Sequence, residues 1–169
     1  MRVTMQADSS KKYFLATIIA LVVVTIDYYT KRLIIQSLAL HQSLDVIPHY
    51  LTIVHTRNRG IAFGFFAGQG SDIQTILLIS TSCLAIIFMI YLITTLNIKQ
   101  HYALFTLSLI LGGAIGNLID RIRWGEVVDF IDLHWYQYHW PAFNLADSML
   151  CVGMGLVFIS ILWFSRRPS

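Results

Sequence analysis

Three aspartates, Asp120, Asp129 and Asp147, lie between one long apolar run and the next. Ionisable groups are costly at the edge of a bilayer, so carboxylates kept where two hydrophobic segments meet water are expected to have a use. Two carboxylates held close together cannot both ionise cheaply: one keeps its proton while the other stays charged. That asymmetry suits peptide hydrolysis, in which the anion takes a proton from water and the acid polarises the scissile carbonyl. Such a pair titrates as a unit rather than as two independent groups.

Each carboxylate also has a purely structural use to weigh. Asp120 adjoins Arg121 at the end of an apolar run, where an ion pair would anchor a helix terminus. Asp147 follows Asn144 by three residues at the start of a helix, the spacing of a capping arrangement and a place where the helix dipole favours an anion. Asp129 has no such use, since it interrupts an otherwise apolar strand, Val127-Val128-Asp129-Phe130-Ile131. Asp132 falls on the opposite face of that strand and is expected to meet solvent. Spacing alone leaves open whether Asp120 or Asp129 joins Asp147.

Other chemistries find less support. The histidines, His41, His49, His55, His101, His134 and His139, show no H-E-x-x-H spacing, so no metal is expected. Neither cysteine is placed as a nucleophile beside a histidine, and Ser71 and Ser148 lack a recognisable base. The run Gly112-Gly113-Ala114-Ile115-Gly116 lacks the strand-to-helix context and the following G-K-[ST] of a phosphate loop. No cofactor is expected.

The elements that must hold these residues are mostly helices in lipid. The chain has 169 residues, 56% hydrophobic and 12% charged, with a mean hydropathy of +0.65, which is the composition of an integral membrane protein of one domain, residues 1–169. A formal charge of +3 could suggest nucleic acid, but the basic residues are scattered at segment ends, so that partner is excluded. Cys83 and Cys151 fall within apolar runs, where cysteine acts as a small hydrophobe. Four segments approach the roughly 20 apolar residues that a bilayer requires of a helix. They run from Tyr13 to about Ile35, from Ile73 to Leu96, from about Tyr102 to Ile119, and from near Leu145 to Phe164. Asp27 and Lys31 are four residues apart on the first, hence on one face and able to pair.

The polar segments, about 36–72 and 120–144, then fall together on one side of the membrane. Tyr50 to Thr56 reads as a short strand, and Asn58-Arg59-Gly60 as a turn leading into an apolar, glycine-bearing strand with Phe63, Phe65 and Phe66 dipping into the interface. The fold class is thus mainly α: four transmembrane helices with a small extracytoplasmic β-sheet and loop region at the membrane surface. Basic residues tie between the two sides, with Arg2, Lys11, Lys12, Lys99, Arg166 and Arg167 against Lys31, Arg32, Arg57, Arg59, Arg121 and Arg123. Taking Arg57, Arg59 and Arg121 as site residues places both termini in the cytoplasm.

Five short motifs in order complete the reading: D-x-x-x-K at Asp27 and Lys31, N-x-G-x-A-F at Asn58 to Phe63, G-G-x-x-G-N-x-x-D-R at Gly112 to Arg121, V-x-D-F at Val127 to Phe130, and F-N-x-A-D at Phe143 to Asp147. With these spacings the chain resembles signal peptidase II, the bacterial lipoprotein signal peptidase family, over essentially its whole length. Tyr28, where the family usually carries glutamine, and Arg59, where it commonly has a small residue, depart from the pattern. The resemblance implies an aspartyl endopeptidase of the bacterial inner membrane with Asp129 and Asp147 as its catalytic pair. It also implies supporting or substrate-binding roles for Asp27, Lys31, Asn58, Gly60, Asn117, Asp120, Arg121 and Asn144. The implied substrates are diacylglyceryl-modified prolipoproteins, cut just before the lipidated cysteine, with membrane lipids as surroundings and cyclic peptide antibiotics of the globomycin type as inhibitors.

Overall fold

The computed structural model describes residues 2–60, 72–98 and 100–165. Four helices carry the chain: α1 (Arg2–Ser37), α2 (Asp72–Thr95), α3 (His101–Trp124) and α4 (Leu145–Ser165). Each contains a stretch long and apolar enough to cross a membrane: Ser10–Ser37, Ile73–Thr95, His101–Trp124 and Leu145–Trp163. Helices are required there because lipid offers no partner to backbone N–H and C=O groups. Lys99, Arg166 and Arg167, and the phenylalanines expected to dip into the interface, lie outside the described residues, as does the strand expected after Gly60.

The third helix is the hub of the bundle. Over half of its spanning stretch is buried, 56% against 22% or less in the other three. Its glycines explain why α1 and α4 can close on it. A Cβ at Gly112 would lie 2.7 Å from Val23 Cβ of α1, one at Gly113 would lie 2.5 Å from the Ala146 carbonyl of α4, and one at Gly116 would lie 2.7 Å from Asp27 Oδ2. Only hydrogen fits at these crossings, the usual way in which small residues let helices approach in lipid.

Two helices run further than the apolar counts predict. The described part of α1 starts ahead of Tyr13, because backbone hydrogen bonding continues a helix irrespective of hydropathy. At its other end α3 continues past Ile119 through Asp120 and Arg121 to Trp124, with Arg121 and Arg123 in the last turn, where cations suit the helix dipole. It stops at Gly125, which takes the left-handed conformation (φ 70°) and donates its N–H to the Arg121 carbonyl at 3.0 Å.

The polar segments form an antiparallel sheet in the order β1 (Ser43–Ile47), β2 (Leu51–Asn58), β3 (Val127–Trp135) and β4 (Tyr138–His139). The strand expected at Tyr50–Thr56 is β2, one residue later at its start and two later at its end. The short strands β1 and β4 were not expected. The chain turns beside β1 at His41 and His49, which take positive φ (67° and 70°) without being glycine, so no turn signal marks them. In the β2–β3 register Thr56 faces Asp129 and Asn58 faces Val127. Phe143 then returns to β3 through two hydrogen bonds with Ile131 (2.8 and 3.0 Å), which sets the start of α4 beside Asp129.

Candidate active site

Strand β3 carries Asp129 into the interior, where it is 2% exposed. Its Oδ2 accepts from Asn58 Nδ2 at 3.0 Å and its Oδ1 from Asn144 Nδ2 at 2.7 Å. Burial pushes the Asp129 carboxyl up to about 6; the charge of Asp147 raises it too, while the donors of Asn58 and Asn144 and the charge of Lys31 oppose the rise. A carboxyl so placed holds its proton far more readily than one in water.

The surroundings of Asp147 are of another kind. It stands in the first turn of α4, and Asn144 is the residue before that helix. Asn144 Oδ1 accepts the Asp147 N–H at 2.9 Å, and Asp147 Oδ2 accepts the Asn144 N–H at 3.3 Å, a reciprocal cap. The capping expectation therefore holds, and it does not exhaust the residue, because Oδ1 accepts from Asn117 Nδ2 at 2.7 Å. Asn144 touches both aspartates at once, which puts their carboxylates within the reach of one asparagine.

Behind this pair lies a buried cluster. Lys31 Nζ is 2.8 Å from Asp27 Oδ2, 2.8 Å from Asp120 Oδ2 and 3.1 Å from Asn117 Oδ1. Asp27 Oδ1 in turn accepts the Ala146 N–H of α4 at 2.9 Å, and Asp120 Oδ2 accepts the Val128 N–H at 3.3 Å. The ion pair expected between Asp120 and its neighbour Arg121 is replaced by one with Lys31. Adjacent residues on a helix point about 100° apart, so Asp120 turns toward α1 instead. Arg121 lies near Asp147, Asp129 and Asp120, and its buried Nε has no hydrogen-bond partner among the described residues.

Gly60 acts on the same site through the backbone. It has φ +79°, which favours glycine, and donates its N–H to Asn58 Oδ1 at 2.8 Å; a Cβ there would also lie 2.5 Å from Leu78 Cδ1, which would have to shift. With its oxygen held there, the nitrogen of Asn58 must face Asp129. Asp132 departs from the solvent-facing expectation: it is half-buried and pairs with His139 Nδ1 at 2.9 Å. The strand β4 that carries His139 was not foreseen.

Two cavities flank the aspartates. One of about 570 Å³ is lined by polar side chains, His41, Thr56, Arg57, Asn58, Arg59 and Glu126 among them, and reaches Asp129. The other, about 630 Å³ and largely apolar, is lined by Leu133, Trp140, Phe143 and Cys151 and reaches Asp147. Sequence reasoning missed Glu126, which binds Arg59 at 2.7 Å across the mouth, and Trp140. The β2–β3 register was the signal that could have found Glu126, since Asn58 opposite Val127 makes their neighbours face each other. The unusual Tyr28 lies beneath the Arg123 guanidinium, 5.3 Å from its ring centre.

The chain is similar to known proteins over most of its length. A family model described as signal peptidase (SPase) II matches residues 19–163. The lipoprotein signal peptidase of Syntrophotalea carbinolica is 47% identical over 143 residues, 85% of this chain and 88% of that one. That of Geobacter sulfurreducens is 43% identical over 144 residues, 85% and 89% of the two chains. A bacterial membrane enzyme structure solved by the in meso method at 2.3 Å resolution superposes with a TM-score of 0.80 at 34% identity, covering 92% of each chain.

Proposed function

The chain belongs to the signal peptidase II family, and from that premise we propose that Asp129 and Asp147 are the catalytic pair of a peptidase that removes signal peptides from prolipoproteins. The observation that carries the assignment is Asn144, which binds both carboxylates, that of Asp129 through its side-chain amide and that of Asp147 through its backbone N–H, while burial pushes Asp129 up to about 6. Up to about pH 6, well above the range of an ordinary carboxyl, Asp129 is the member that holds the proton. Asp147, which accepts two N–H groups in the first turn of a helix, is the base.

A water held between them then reacts as follows. Asp147 takes a proton from the water as its oxygen bonds to the scissile carbonyl carbon, while Asp129 gives its proton to the carbonyl oxygen. As the C–N bond breaks, the proton on Asp147 passes to the departing amine. Asp129 recovers its proton when the new carboxyl forms. Arg121, whose Nε has no hydrogen-bond partner among the described residues and whose guanidinium is a fixed fork of donors, and Asn58 hold substrate carbonyls at this point.

The substrate is the diacylglyceryl-modified precursor, cleaved just before the lipidated cysteine. Its two halves fit the two cavities: the peptide in the polar mouth beside Asp129, the lipid-bearing side in the apolar cavity beside Asp147. Residues 1–169 act as one domain in the bacterial inner membrane, with both termini in the cytoplasm and with segments 36–72 and 120–144, hence the site, on the extracytoplasmic face. Membrane lipids are its surroundings, and cyclic peptides of the globomycin type block the pocket. A gel-shift assay on a purified, diacylglyceryl-modified prolipoprotein tests the assignment: wild type cleaves, whereas Asp129→Asn and Asp147→Asn do not. Full activity in either variant removes that residue from the mechanism.

A further inference from the structure

Three asparagines hand N–H groups to the two aspartates, and each can do so only if its amide is the right way round, since one end donates and the other accepts. Two are fixed by backbone. The oxygen of Asn58 is held by the Gly60 N–H at 2.8 Å and that of Asn144 by the Asp147 N–H at 2.9 Å. The third, Asn117, has no backbone donor of this kind among the described residues. Its Oδ1 accepts from Lys31 Nζ at 3.1 Å and from Asn144 Nδ2 at 3.2 Å.

Of these two donors Asn144 is the weaker. Its two hydrogens are divided among Asp129 Oδ1 at 2.7 Å, Asn117 Oδ1 at 3.2 Å and the Val128 carbonyl at 3.3 Å. Lys31 has one donor for each of its three acceptors, Asp27, Asp120 and Asn117, and it carries a full charge. A lysine serving only to neutralise two acids has no need of the third contact. Reversing the amide would aim its NH2 at the ammonium and its oxygen at the Asp147 carboxylate.

We propose that Lys31 is a positioning residue for the peptidase reaction: reaching from α1 to Asn117 on α3, it keeps the Asn117 NH2 on Asp147 and so keeps that carboxylate a competent base. The inference rests on the reading of Asp147 as the base. It predicts a change in pH dependence rather than in substrate affinity, because a carboxylate that loses a donor is more readily protonated. The charged groups facing Asp147 are Arg121 of α3 and Asp129 of β3, with Lys31 and Asp27 of α1 and Asp120 of α3 behind Asn117.

The test compares the pH dependence of kcat in wild type, Asp27→Asn and the double variant Asp27→Asn/Lys31→Met, using a purified diacylglyceryl-modified precursor in detergent. The double variant keeps the net charge of the cluster but removes the ammonium donor of Asn117, leaving only the weaker Asn144 contact. Its acid limb should move up by about one pH unit with KM unchanged, while Asp27→Asn shows no upward shift. An acid limb that coincides with wild type in the double variant, or one displaced equally in Asp27→Asn, overturns the proposal. Should the double variant not fold, nuclear magnetic resonance of the wild type decides. A through-hydrogen-bond coupling between Lys31 Nζ and the Asn117 side-chain carbonyl carbon is expected, and its absence overturns the assignment. Asp147→Asn is run alongside: activity there defeats the reading of the base itself, whereas an inactive Asp147→Asn with coincident limbs defeats only the role of Lys31.

Discussion

Helix α1 carries a buried lysine toward each end, and the two are held in opposite ways. Lys12, 5% exposed, donates to the Thr94 and Leu96 carbonyls at 2.9 and 2.8 Å, at the C-terminal end of α2, where a helix leaves acceptors unpaired and its dipole is negative. Lys31, 2% exposed, is held by two carboxylates and an amide. Backbone acceptors change little when a nearby charge changes, so Lys12 fastens one helix to another. Side-chain acceptors can titrate or turn over, so Lys31 communicates with the aspartates as well as binding them. Burial and charge alone do not distinguish the two; the nature of the partner does.

The largest expected effects belong to the end that holds the aspartates. Asp129→Asn or Asp147→Asn should each reduce turnover of a lipid-modified precursor by roughly a thousandfold or more, the scale of lost general acid–base catalysis. The two variants should differ in stability. Asp147→Asn weakens the acceptor for the Asn144 N–H and should lower stability by about 1 kcal/mol, the usual value of a helix cap, seen as a lower thermal midpoint.

The lysines then provide the direct contrast. Lys12→Met should cost about 2 kcal/mol of stability, since it strands two carbonyls bound to a charged donor, and should leave kcat as it was. A loss of kcat in that variant would break the distinction between the two ends. Thermal unfolding and turnover measured on the same preparation check both halves.

A subtler effect concerns pH. The folded carboxyl of Asp129 is raised from an ordinary 3.8 to about 6, so its stabilising contribution is complete below the lower value and is lost as pH rises through the upper one. The stability of wild type relative to Asp129→Asn should therefore fall between pH 4 and 6, by up to about 3 kcal/mol, and kcat/KM should fall as pH rises through about 6. Calorimetry of the two chains across that range measures the first and initial rates the second; no change in the difference would place Asp129 in a more watery setting. The smallest effect is expected at the mouth. Arg59 is 60% exposed in its pair with Glu126, so Arg59→Ala should change stability by less than about 0.5 kcal/mol.

Much of this molecule is legible in its sequence because lipid imposes a simple rule. Runs such as Ile73 to Leu96 can only be helices there, and α2 follows that run to within a residue at each end. The pairing of Asp27 with Lys31 follows from helical spacing and is met at 2.8 Å. Contacts between distant segments were less visible. That Asp120 turns to Lys31 depends on the crossing of α1 and α3 at Gly112 and Gly116, a matter of close approach that no local pattern encodes. The proposal of Asp129 rather than Asp120 beside Asp147 rests on the return of Phe143 to Ile131, which brings Asn144 against Asp129 and which spacing does not encode. The strand β1 was hidden because its flanking turns use histidines at positive φ, and β4 because two residues are too few to show a period.

The reciprocal cap at Asn144 and Asp147 has a consequence for descent. A lineage that abandoned the chemistry while keeping the scaffold would still need an acceptor at residue 147 for the amide that opens α4. Selection for folding alone therefore shields this acid from drift, whereas Asp129, whose charge the fold resists, is free to decay once its task is gone. In an inactive descendant of this chain, the strand aspartate should be the first of the two to disappear.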